Sequence, residues 1–138
     1  LENTAGQGDT IGDRFEELAY IIDEVDDPSL GICLDTAHLF ASGYDIRTSG
    51  ALDETLKIFT DVIDVGRVKL MHGNDSKPGL GERKDRHEQI GKGKIGLPGF
   101  DAVINNPHLI NLDMIVEIPP DIVREDIETL KKLRGANK

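Results

Sequence analysis

A 138-residue chain with 38% hydrophobic and 30% charged residues can bury one sizeable core and is not a disordered tail. Its formal net charge of −10 argues against a generic nucleic-acid binder, which should be basic, and its single cysteine excludes an internal disulfide. No run approaches the ~20 apolar residues needed to span a bilayer, so no membrane partner is expected.

In chain order, Leu1-Glu2-Asn3-Thr4 reads as the last residues of a strand, and Ala5-Gly6-Gln7-Gly8 as a turn. This motif-like opening, with no Met before it, leads us to expect the C-terminal part of a longer protein. Ile11, Phe15, Leu18, Ala19 and Ile22 keep a 3.6-residue period and predict a helix over 11–25, with Thr10 as its N-cap and Asp13 at N3. Asp26-Asp27-Pro28-Ser29 stops it. Leu30 to Leu34 is a short apolar strand ending at Asp35, and Cys33 within it reads as a small buried hydrophobe in a reducing, cytoplasmic setting.

A second helix is predicted over 51–64, with Leu52, Leu56, Phe59 and Ile63 on one stripe and Gly66 closing it. Val68 to Met71 is a strand that ends on His72. The Gly-rich, charged segment that follows, to Gly96, has no apolar period. Loops of that length are usually functional or disordered, and this one is not of low complexity. It carries Asp85-Arg86-His87, where extended backbone sends Asp85 and His87 to the same side. A short helix near Phe100, a strand over 114–116 ending at Glu117, and a last helix over 122–134 complete the chain. That helix is expected to turn Val123, Ile127, Leu130 and Leu133 inward.

Alternating helices and near-continuous apolar strands predict a parallel α/β sheet. Glu2, Asp35, His72 and Glu117 fall at successive strand ends, the edge where parallel α/β folds gather their chemistry. Any one of them alone reads as a surface charge or a helix cap, and His38, Asp85 and His87 alone read as solvated loop groups. Taken together, three histidines and four carboxylates form a ligand set for zinc or manganese rather than calcium. Seven ligands exceed one zinc's four, which points to a polynuclear site.

The segments Glu2-Asn3-Thr4-Ala5-Gly6-Gln7-Gly8, Gly31 to His38, Asn74-Asp75-Ser76-Lys77 and Gly81 to Gly96 together resemble the C-terminal half of the endonuclease IV family of apurinic/apyrimidinic (AP) endonucleases. The resemblance implies half of a (β/α)8 TIM barrel, with residues 1–138 as part of one domain. It implies up to three zinc ions on the C-terminal face. Glu2 would bridge the first two, Asp35, His72 and Glu117 would complete the second, and His38, Asp85 and His87 would hold the third. The first metal also needs two upstream histidines that have no counterpart here. Ala37 and Ile118 stand where Cys and Thr are usual, which removes no ligand.

The implied reaction is hydrolysis of the phosphodiester 5′ to an abasic site in double-stranded DNA. No side chain need act as nucleophile, and the chain without its upstream barrel half is expected to be inactive. Asn74, Lys77, Arg83 and Arg86 are candidate contacts to the DNA backbone, or else solvated loop charges. Two other readings stand beside this one. The first is a sugar-phosphate isomerase or epimerase with one metal on Glu2, Asp35, His72 and Glu117. The second is a non-catalytic, metal-binding half-barrel.

Overall fold

The computed structural model describes residues 1–136. In chain order it runs α1 (Phe15–Val25), β1 (Ile32–Asp35), α2 (Thr36–Ser42), α3 (Ser49–Thr60), β2 (Val68–His72), β3 (Asp75–Ser76), β4 (His87–Glu88), α4 (Gly96–Asn105), β5 (Asp113–Ile115) and α5 (Val123–Ala136).

β1, β2 and β5 form a parallel sheet in that order, with Asp35 beside His72 and His72 beside Ile115. A parallel bridge from Glu2 to Cys33 adds the chain's first residues as a fourth edge. After one register shift between Ile32 and Cys33, parallel pairing runs in step to Asp35 and His72 and brings the strand ends level. Glu2, Asp35, His72 and Glu117 thus share one rim, although β5 stops two residues short of Glu117. Helices cover the sheet through Phe15, Leu18, Phe40, Phe59, Phe100 and Val103, all buried. Phe15 stacks on Tyr44 at 4.0 Å and meets Phe59 edge-on at 5.1 Å, geometries that aromatic pairs prefer.

Several elements depart from the sequence reading. The first helix begins at Phe15 rather than near Ile11, and Arg14 occupies its N-cap without a side-chain capping bond. Thr10 instead bonds Gln7 O, Gly12 takes a φ of 101°, and Ile11 is exposed. The polar pull of this turn outweighs the apolar period. The stop at Asp26 is as read: it adopts φ 49° and its N–H returns to Ile22 O at 3.0 Å. α3 ends at Thr60, and Gly66 lies in a separate 3-10 turn, Val65–Arg67, rather than closing the helix.

The seven-residue α2 is too short to show a period, and the segment after His72 holds the antiparallel pair β3–β4. In α5, Ile127 is exposed and Asp126 is buried in its place. Asp126 accepts from Ile90 N–H at 3.1 Å, which holds that carboxyl against the core, while Leu130 and Leu133 pack inward as read. Among the described residues, no helix is long and apolar enough to cross a membrane.

Candidate metal centre

The rim carries two clusters. In the first, His72 Nδ1 lies 2.9 Å from Glu2 Oε1, 3.1 Å from Glu117 Oε2 and 3.8 Å from Asp35 Oδ2. One ring nitrogen has a single proton or a single lone pair, so it cannot satisfy three carboxylates at once. All four residues offer ligand atoms within 4.8 Å of one another, the arrangement a divalent cation would resolve.

The second cluster is built from His38, Asp85 and His87. His38 Nδ1 lies 2.9 Å from Asn3 O, and His87 Nδ1 lies 3.3 Å from Glu117 O. A carbonyl can only accept, so both rings carry a proton on Nδ1 and turn Nε2 inward. Both Nε2 atoms are buried without a hydrogen-bond partner. Asp85 Oδ1 stands 3.2 Å from one and 3.3 Å from the other. With both rings neutral, two Nε2 lone pairs facing a carboxylate oxygen repel it, and a cation seated among the three would turn that repulsion into ligation. This donor set, two imidazoles and a carboxylate with an open side, fits zinc. Asp35 Oδ2 lies 3.8 Å from His87 Nε2, at the seam between the clusters.

Local structure explains why these side chains stay in place. Asp35 is the N-cap of α2, and its Oδ1 accepts from His38 N–H at 2.8 Å, which leaves Oδ2 for the site. Burial holds the Asp35 carboxyl above its ordinary range, against the pull of His38, His87 and Asn74. For His38, burial favours the neutral ring, but Asp35, the Asn3 carbonyl, Asp85 and Glu2 outweigh it and raise its pKa. Burial is the cause at Asp35 and the neighbouring carboxylates are the cause at His38; a bound cation would favour the charged form of Asp35.

Asn74 is wholly buried, so a contact to a DNA phosphate does not fit its placement. Its amide donates 2.6 Å to Asp35 Oδ2 and 3.1 Å to Glu117 Oε2, while its Oδ1 accepts from Glu117 N–H at 2.8 Å. Arg83 is exposed but bonded to Asp13 at 2.7 Å and to Gly6 O at 3.1 Å. Gly6 has a φ of 73°, and a Cβ there would sit 2.7 Å from Asp13 Oδ2, so the turn needs glycine. Lys77 and Arg86 remain exposed beside the site.

Gln7 was not singled out by its type, yet its Oε1 accepts from Asp85 N–H at 2.8 Å and steadies that ligand. Cys33 departs from the buried small hydrophobe: it is half-buried, on the side of β1 that faces Glu2 and His72. Burial, with Glu2, Asp35 and Glu117 adding to it, pushes its thiol up to about 12, so it stays protonated there.

A family model described as xylose isomerase-like TIM barrel matches residues 1–133. The chain belongs to the xylose isomerase-like TIM barrel family. Within it, the chain is 51% identical over 138 residues to a protein of Chlorobium phaeobacteroides named probable endonuclease 4, covering 99% of this chain and 49% of that one. It is 52% identical over 135 residues to the protein of the same name from Chlorobium limicola, covering 96% and 47%. The crystal structure of endonuclease IV from Thermus thermophilus superimposes with a TM-score of 0.84 at 34% identity, covering 98% of this chain and 49% of that one. The chain thus spans about half the length of the curated relatives it matches.

Proposed function

We propose that this chain supplies the C-terminal half of a metal-dependent AP endonuclease, one part of a single TIM-barrel domain that cleaves DNA 5′ to abasic sites. The observation that carries the reading is the pair of unpartnered, inward-facing Nε2 atoms of His38 and His87 around Asp85, beside the Glu2–Asp35–His72–Glu117 cluster. The relatives named endonuclease 4 supply the reaction class.

Bound divalent ions, zinc first and manganese as the alternative, would bring an acidified water and positive charge to the phosphodiester. The chain's own residues hold that charge in place. His38, Asp85 and His87 would hold one ion, and Asp35, His72, Glu117 and Glu2 a second. Glu2 would be the only ligand here for a third. Asn3 O and Glu117 O keep both imidazoles in the tautomer that can bind. Lys77 and Arg86 would meet the backbone of the abasic duplex. The lone Cys33, kept as a thiol, suits a reducing cytoplasm.

A single-metal sugar isomerase would use the first cluster alone and leave His38, Asp85 and His87 without a task. The test is gel-based incision of an abasic duplex, with and without chelator. The 138-residue chain alone should cleave negligibly, because one carboxylate cannot define a zinc site that normally takes three protein ligands. Adding the upstream barrel half, in cis or as a complementing fragment, should restore chelator-sensitive cleavage. Robust incision by the chain alone, or none with the upstream half present, overturns the proposal.

A further inference from the structure

Among the described residues, Asp75 is the most heavily bonded carboxylate, and all five of those bonds come from backbone N–H groups. It is wholly buried, directly after Asn74. Its Oδ1 accepts from Ser76 N–H at 2.8 Å and Ile95 N–H at 2.9 Å. Its Oδ2 accepts from Gly91, Gly93 and Gly96 N–H at 2.9, 3.0 and 3.2 Å. A carboxylate has about four lone-pair positions, so the group is saturated by backbone donors. Four of the five come from residues 91–96, the returning end of the loop that carries Asp85 and His87. Gly93 is pressed so close that a Cβ would run into the carboxylate.

We propose that Asp75 is the positioning residue of the loop-borne metal site, acting through His87. The loop leaves the rim at Ser76 and comes back at His87, and these two residues are paired between β3 and β4. Two-residue strands alone give little stability. The bonds from residues 91–96 to Asp75, joined by Lys94 N–H to Ser76 O at 2.8 Å, hold the return limb against the sheet. They fix where the His87 ring can reach. Adjacent residues thus serve different clusters: Asn74 braces Asp35 and Glu117, whereas Asp75 braces the loop. The role rests on the reading of His38, Asp85 and His87 as metal ligands.

The closing experiment titrates zinc chloride into the whole chain, wild type and Asp75→Asn, by calorimetry, with amide hydrogen exchange followed in parallel. Asn matches the shape of Asp but turns an NH2 toward backbone donors. Wild type should take up two zinc ions per chain. In Asp75→Asn the affinity of one site should fall on the order of 10–100-fold, as for other supporting partners of metal ligands, with the other unchanged. Gly91, Gly93, Ile95 and Gly96 should exchange slowly in the zinc-free wild type and fast in the variant.

Both sites unchanged, or both weakened equally, overturns the proposal. Should Asp75→Asn fail to fold, the wild-type amides still decide it: free exchange at those four positions without metal overturns it, and protection supports it. A wild-type chain that takes up no zinc removes the metal reading and the positioning role with it. The exchange rates then show separately whether Asp75 holds the loop.

Discussion

Asn74 donates its amide to Asp35 across 2.6 Å, with both side chains shut away from solvent. The same amide group reaches Glu117, so one buried asparagine ties the end of β1 to a candidate ligand just beyond β5. Asn74→Ala would leave Asp35 Oδ2 buried without that donor. The expected loss is about 1–3 kcal/mol of stability, read as a lower denaturation midpoint at unchanged slope. Zinc affinity at the Glu2–Asp35–His72–Glu117 cluster should fall as well, on the order of 10–100-fold.

Glu17 gives a pH signature away from the site. The Gly12 N–H at 2.7 Å, and after it the Arg14 guanidinium at 2.9 Å, hold its carboxyl below the ordinary range. A depressed carboxyl stabilises the fold above its unfolded value, about 4.3, and that contribution is lost as pH falls through the lower folded value. Glu17→Gln should therefore lower the melting temperature at neutral pH. The gap to wild type should close as pH drops below about 4 in thermal melts.

Phe59 is fully buried, edge-on to Phe15. Phe59→Ala should cost about 3–5 kcal/mol in denaturant unfolding, since the helices around it cannot collapse into the gap. A loss under about 1 kcal/mol would mean that the helix layer is far more plastic than its packing implies.

β1 and β2 were legible because each is a largely apolar run stopped by an ionisable residue. Parallel register then places Asp35 beside His72 with no further information. What the sequence hid was polar structure. Asn74 and Asp75 look like surface residues by type, yet both are buried because they bond ligands and backbone rather than water. Asp35 was legible as a ligand but not as the cap of α2, because a seven-residue helix has too few turns to show a stripe. Thr10 had the chemistry of an N-cap, but the preceding turn took its hydroxyl. Asp126 was hidden likewise: its partner, Ile90, lies 36 residues away, beyond any periodic signal.

The central claim is that His38, Asp85 and His87 enclose one cation and the four strand-end residues another. Crystals of the chain soaked in zinc, with anomalous scattering recorded at the zinc edge, test it directly. Two peaks are expected per chain, one within 2.0–2.2 Å of His38 Nε2 and His87 Nε2, as zinc–nitrogen bonds require. A map with no peak between those two rings, in crystals that hold zinc elsewhere, would contradict the account.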